Sequence, residues 1–273
     1  MTAPPRPEAV PAPPPSEAVV AAFDFDGTLT HGGSVWPFLV AIRGRPAVAG
    51  AAVVSARRLL AAALLGGPHA DMAKEALFRR TLAGLPADEV ADRAAAFGPA
   101  HYRRRARADV RHRLEWHRAQ GHRLLIVSAS PQCYLDAVGL ELGVDAVLAT
   151  GLAVGPDGRL TGNYDGPNCR GPEKLTRVRQ WMKEHPPPPA GSAAIADVLW
   201  AYGNSDGDRF LLGGADVGVD AGRLGRLGAL RRFPRLSQLP AADGDVTSSG
   251  GAGGRSGASR PGTRWRRRSA ERR

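Results

Sequence analysis

Cysteine is almost missing from this chain: Cys133 and Cys169 are the two thiols in 273 residues. A disulfide framework is therefore excluded, the core has to come from apolar burial, and the expected compartment is the cytoplasm, where thiols stay reduced. Both cysteines read as inert small residues. A secretory signal is not expected either. Residues 1–18 carry Pro4, Pro5, Pro7, Pro11, Pro13, Pro14 and Pro15 with no basic start and no apolar centre, the composition of a disordered leader. The longest apolar stretch, Ala47–Leu65, has Arg57 and Arg58 just past its middle, which disfavours a bilayer span and favours a helix packed on protein. The seven histidines show no metal-ligand spacing, so surface or packing roles are expected for them.

Acids are scarce at the carboxyl end. After position 221 thirteen arginines meet Asp243, Asp245 and Glu271, which accounts for nearly all of the formal net charge of +11 and leaves the body of the chain close to neutral. Residues 241–273 include a Gly/Ser-rich stretch from Ser248 to Ser259 and read as a disordered basic tail. Such a tail attracts any polyanion weakly. No helix-turn-helix, zinc-finger or RNA-binding signature accompanies it, so no specific nucleic-acid partner is expected. Residues 222–240 repeat an apolar residue every third position between Arg223, Arg226, Arg231, Arg232 and Arg235. Glycines at 222, 225 and 228 are poor for a helix. The segment reads as an extension lying on the core, with peripheral contact to an anionic membrane as its second reading.

What is present is an α/β pattern with enough apolar residues, 43%, for a sizeable core. A buried-strand run, Ala18–Phe23, leads into Asp24-Phe25-Asp26-Gly27-Thr28. Strand alternation puts Asp24 and Asp26 on one side, and Gly27 lets the backbone turn close to a ligand. On its own this is also what a surface Asp-Gly turn looks like. From Val35 to about Ala108 the pattern is helical (Val35–Ile42, Ala47–Leu65, Met72–Leu82, Ala87–Phe97), with Gly and Pro breaks, the last at Gly98-Pro99. That is too much helix for a strand-to-strand crossover and predicts an inserted helical cap. There follow a helix Leu114–Ala119, a strand His122–Val127 that delivers Ser128, a helix Tyr134–Leu142 and a strand Asp145–Ala149. A hairpin within Gly151–Gly166, a helix Glu173–Lys183 carrying Lys174, and strands Ala196–Tyr202 and Ala215–Asp220 complete the series. Gly203-Asn204-Ser205-Asp206-Gly207-Asp208 ends the first of these strands. The alternation predicts a doubly wound parallel sheet, whose ligands bind at the carboxyl ends of the strands. The expected organisation is a leader over 1–18, a core from 19–33 and 113–221, a cap over 34–112, the basic Leu/Arg extension over 222–240 and the tail over 241–273.

Taken in order, these motifs resemble the haloacid dehalogenase superfamily, and within it the helical-cap hydrolases of subfamily IB that include phosphoserine phosphatases. The resemblance spans residues 19–221. It implies a Rossmann-like core and a phosphoric monoester hydrolase. It also implies Mg²⁺ held by the Asp24 side chain, the Asp26 carbonyl and the Asn204 side chain, with Asp208 a further ligand or an orienter of the metal's waters. Asp24 would attack phosphorus to give an aspartyl-phosphate, and Asp26 would act as acid and then base. Ser128 and Lys174 would hold the phosphoryl oxygens, and Thr28 would orient Asp26. The physical logic agrees: a doubly negative phosphate monoester repels an attacking carboxylate unless a hard cation and a fixed ammonium offset the charge.

Two departures bear on this expectation. Asn204 stands where relatives often have Asp, so the position offers an oxygen without charge and weaker metal affinity unless Asp206 or Asp208 compensates; Asp206 reads as a loop acid. His31-Gly32-Gly33-Ser34 stands where phosphoserine enzymes place an acid, although Lys74, Arg79 and Arg80 offer basic groups in the cap. The expected substrate is thus a small phosphorylated metabolite other than an assured phosphoserine. The alternatives are a phospholipid head-group phosphatase of lysophosphatidate or phosphatidylglycerophosphate type, and a non-catalytic phospho-ligand binding protein. Transfer of the phosphoryl group to an alcohol is a nearer variant of the first reading.

Overall fold

Strand β1, Ala18–Phe23, is apolar at every position because both of its faces are covered. The computed structural model describes residues 18–57, 60, 67–186, 197–222 and 229–239, so the leader up to residue 17, residues 223–228 and 240 of the basic extension and the tail over 241–273 lie outside the described residues. β1 pairs in parallel with β2, Arg123–Pro131, on one side and with β5, Asp197–Gly203, on the other. β3, Ala146–Val154, extends the sheet beyond β2, and β6, Val217–Asp220, extends it beyond β5. β4, Leu160–Asp165, is an antiparallel edge strand, giving the order β4-β3-β2-β1-β5-β6. The chain lays down β1, β2 and β3 in one direction and then crosses back to β5, so the switch in strand order falls between β1 and β5.

Alternation along the strands splits the core into two layers. Phe23, Ile126 and Tyr202 point into one; Ala22, Val127 and Ala201 point into the other. The first layer is closed by helices that begin in the insertion between β1 and β2: α1 (Val35–Arg43), α2 (Arg45–Val54), α3 (Gly67–Thr81) and α4 (Ala87–Arg105). α5 (Ala108–Ala119) and α6 (Gln132–Leu142) complete that side. The second layer is closed by α7 (Pro172–Glu184) and α8 (Arg209–Gly214) through Val178, Trp181, Met182, Leu211 and Leu212. A doubly wound α/β sheet with inserted helices is therefore the observed architecture.

Several boundaries differ from the sequence expectation: the helix expected at Leu114–Ala119 begins at Ala108, the one expected over Ala47–Leu65 ends at Val54, and Gly67-Pro68 opens α3. Gly98-Pro99 does not break α4, which runs through it to Arg105. A Cβ at Gly98 would stand 2.2 Å from the Tyr134 carbonyl oxygen, so the glycine is there to let α4 lie against α6. β2 continues past Ser128 to Pro131 with a register shift between Val127 and Pro131, so Ser128 lies in the irregular stretch of the strand and not after its end. The strand expected at Asp145–Ala149 and the first arm of the Gly151–Gly166 hairpin are one strand, β3, which pairs with β2 through its first half and β4 through its second. Both thiols are free, and burial pushes Cys133 up to about 12 and Cys169 up to about 11, which suits inert residues. Among the described residues no helix is long and apolar enough to cross a membrane.

Candidate active site

The β1–β5 pairing carries one bond past the strand: Asp24 N donates to the Tyr202 carbonyl at 2.9 Å, which aims residue 24 at the carboxyl edge of the sheet beside Asn204. The chain then turns tightly. Thr28 N and Thr30 N both donate to the Phe25 carbonyl, and Gly27 takes φ +82, where a side chain is strained. A Cβ at Gly27 would also stand 2.2 Å from the Asn204 amide, so the position is closed to side chains twice over. Arg107, buried at the start of α5, anchors the turn by donating to the Gly27 carbonyl at 2.7 Å and to the Ala221 carbonyl at 2.5 Å.

Lys174 enters from the first turn of α7. Its Nζ donates to Asp24 Oδ1 and to Asp208 Oδ1, each at 2.6 Å, and all three side chains are buried. The two carboxylates are not equivalent. Asp208 Oδ2 also accepts from Asn204 N, Ser205 N and Ser205 Oγ at 2.9–3.1 Å, and although burial works to raise its pKa, Lys174 and these bonds hold it below the usual range. Burial and the neighbouring Asp208 charge raise Asp24 despite Lys174, because Asp24 lacks that set of backbone donors. Burial alone disfavours the Lys174 ammonium, but Asp208 and Asp24 outweigh it and keep it charged.

Asp26 faces the inserted helices. Oδ1 accepts from Ser34 N at 2.8 Å and Oδ2 from Ser130 Oγ at 2.6 Å, while Ser34 Oγ lies 2.6 Å from the Tyr134 hydroxyl. Burial raises the Asp26 carboxyl, and the Ser130 and Ser34 bonds offset part of that. Ser128 Oγ accepts from Ser130 N at 3.1 Å, which ties it to the residue that holds Asp26. Thr28 does not reach the Asp26 carboxylate as expected; its hydroxyl is 3.1 Å from the Asn204 side chain, since the Gly27 turn swings it toward β5. Of the three basic residues considered in the insertion, Lys74 alone reaches this edge, donating to the Ala129 carbonyl at 2.6 Å and Asn168 Oδ1 at 3.2 Å; Arg79 bonds Asn163 at the surface and Arg80 is exposed. Burial lowers Lys74 to about 8, partly opposed by Asp71 and Asp26.

The sequence reading missed Ser34, Ser130 and Arg107. Ser130 carried a signal, being two residues from Ser128 in a strand and so on the same face. Ser34 and Arg107 carried none, because their roles exist only where distant turns meet.

A family model described as haloacid dehalogenase-like hydrolase matches residues 21–212, a span that contains Asp24, Asp26, Ser128, Lys174, Asn204 and Asp208. The chain belongs to the haloacid dehalogenase-like hydrolase family. It is 32% identical over 211 residues to Protein CicA of Caulobacter vibrioides, covering 73% of this chain and 84% of that protein. Its fold is similar to that of a protein of unknown function from Bordetella pertussis Tohama I (TM-score 0.62, 22% identity, 75% of this chain and 90% of the other). It is also similar to a phosphoserine phosphatase solved as a phospho-aspartyl intermediate analogue (TM-score 0.52, 18% identity, 75% and 86%).

The resemblance to haloacid dehalogenase-like hydrolases implied Mg²⁺, and the oxygen donors at this edge suit it. Among the described residues no three His, Cys, Asp or Glu side chains gather as a metal cluster. The donors are instead one carboxylate, a backbone carbonyl and an amide. The inward terminal atom of Asn204 lies 3.1 Å from Asp24 Oδ2 and 3.0 Å from the Asp26 carbonyl oxygen. Adjacent ligands of an octahedral Mg²⁺ with bonds of about 2.0–2.1 Å are about 2.9 Å apart. Asp24 and Asp208 share one buried ammonium, Lys174, and Asp24 also feels the charge of Asp26, so the pocket around Asp24 is short of positive charge.

Proposed function

We propose that this phosphatase hydrolyses small phosphomonoesters by passing the phosphoryl group through the Asp24 carboxylate. The observation that carries the reading is the buried Asp24–Lys174–Asp208 bridge at the strand-order switch, with Asp26 held beside it by Ser34 and Ser130. In the first step an Asp24 oxygen bonds to phosphorus, the ester P–O bond breaks, and Asp26 gives its proton to the departing alcohol. A carboxyl raised by burial is suited to hold that proton. In the second step water bonds to phosphorus, the P–O bond to Asp24 breaks, and Asp26 takes the proton that water releases. Lys174 has three N–H donors and spends two on Asp24 and Asp208, which leaves one for a phosphoryl oxygen; Ser128 supplies a second donor.

Mg²⁺, held by the Asp24 side chain, the Asp26 carbonyl and the Asn204 amide oxygen with Asp208 ordering its waters, would supply the missing positive charge against the phosphate. Residues 34–112 would form the cap over the leaving group, with 19–33 and 113–221 as the core. Lys74 is the basic side chain placed to meet an acidic leaving group. The two free thiols, Cys133 partly buried and Cys169 buried, support a reducing, cytoplasmic setting.

The test is phosphate release from a panel of phosphomonoesters, phosphoserine and lysophosphatidate among them, by the wild type and Asp24→Asn, with Mg²⁺ and with EDTA. The expected result is release that needs metal and falls at least about a thousandfold in Asp24→Asn, together with an acid-stable phosphoenzyme absent from that variant. Comparable rates in the two proteins would rule Asp24 out as the nucleophile.

A further inference from the structure

We propose that the Asn204 side chain is a built-in stand-in for the cation: its amide turns nitrogen inward in the metal-free protein and oxygen inward when the metal binds. The inference rests on the Mg²⁺ reading of the site. In this structure the inward atom of Asn204 is Oδ1, which accepts from Thr28 Oγ1 at 3.1 Å, yet the same position lies 3.1 Å from Asp24 Oδ2 and 3.0 Å from the Asp26 carbonyl oxygen, two acceptors that disfavour an oxygen there unless a cation joins them. With nitrogen there, the amide's two N–H groups donate to the Asp24 carboxylate and the Asp26 carbonyl. With oxygen there, the same contacts are the edges of a cation's ligand shell. Thr28 Oγ1 donates to the oxygen when it is inward, and with nitrogen inward it is a third acceptor sharing the amide's two N–H groups. Gly27 keeps the space beside the amide free of a side chain in either orientation.

An aspartate at 204 would lack this choice. Its two oxygens are acceptors only, so without metal one of them would press a second carboxylate against Asp24 Oδ2 and the Asp26 carbonyl. Asn204 thereby separates the integrity of the metal-free site from metal occupancy. The consequence for binding is definite. The metal must displace the inward-nitrogen state, and apparent affinity falls by the fraction of molecules that hold oxygen inward.

The experiment is thermal unfolding in EDTA and in Mg²⁺, with calorimetric Mg²⁺ titration, of the wild type, Asn204→Asp and Asn204→Ala. In EDTA the expected melting temperature of Asn204→Asp is about 3–6 °C below wild type, and Mg²⁺ restores it. The wild type shifts little with Mg²⁺ and binds it about tenfold more weakly than Asn204→Asp. Asn204→Ala is low in EDTA and is not restored, which also decides the matter should Asn204→Asp be recovered only in the presence of metal. Wild type and Asn204→Asp melting together in EDTA and both binding Mg²⁺ would overturn the stand-in and leave the metal site standing. No Mg²⁺ binding by either protein would overturn the metal reading and the stand-in with it.

Discussion

His117 is buried on the far side of Tyr202 from the site, with Nε2 2.8 Å from the Tyr202 hydroxyl and Nδ1 2.7 Å from Nδ1 of His122. This is a packing histidine, and its cost appears in acid. Burial, then the neighbouring His122 and Arg113, push its pKa down to about 2 from 6.5. The folded protein therefore stays neutral at this residue where the unfolded chain takes up a proton, so stability is complete above pH 6.5 and is lost as pH falls toward 2. His122, lowered by burial, adds in the same direction. Between pH 7 and pH 5 the His117 contribution is a loss of about 2 kcal/mol. Urea unfolding of wild type and His117→Gln at both values checks this, and an unchanged slope in the variant would place the acid sensitivity elsewhere.

Helices α4 and α6 meet at Gly98, and that contact reverses a general rule. Replacing a helical glycine by alanine ordinarily adds stability of about 1 kcal/mol. At Gly98 the new Cβ would be 2.2 Å from the Tyr134 carbonyl oxygen and 3.1 Å from Val138, backbone and core of the facing helix. Gly98→Ala is therefore expected to lower stability by about 2–3 kcal/mol, measured by chemical denaturation at neutral pH. Its effect on activity follows from what α6 carries: Tyr134 stands 2.6 Å from Ser34 Oγ, whose backbone N–H holds Asp26. α3 reaches the same edge through a different chain of bonds, with Asp71 accepting from Asn168 Nδ2 at 2.7 Å and Lys74 holding the Ala129 carbonyl.

For the whole molecule, charge and chemistry are separated along the chain. The residues proposed for chemistry run from Asp24 to Asp208 and sit at one edge of the sheet, whereas the excess positive charge lies after position 221. A field spread along a basic segment alters encounters with polyanions, not the bonds at Asp24. Removing residues 244–273, with eight arginines against Asp245 and Glu271, is expected to leave kcat/KM on a small phosphomonoester within about twofold while weakening salt-dependent retention on heparin. A large loss of turnover in the shortened protein would tie the tail to catalysis.

Local pattern determined much of this. Apolar runs covered on both faces gave the parallel strands, since a strand buried twice has no polar side to show, and the Asp-x-Asp-Gly, Ser128, Lys174 and Asn204–Asp208 motifs were legible because each lies within a few residues of a strand end or helix start. Tertiary structure alone decided the rest. It joined residues 146–154 into one strand, carried α4 through Gly98-Pro99 and brought Ser34 and Ser130 to the two oxygens of Asp26. It turned Thr28 toward Asn204, placed the buried Arg107 on two carbonyls 194 residues apart, at Gly27 and Ala221, and set Asn204's amide against Asp24 and Asp26. Each of these depends on which distant backbone groups need a partner once buried, and a donor's partner is fixed by position in space, not by spacing along the chain.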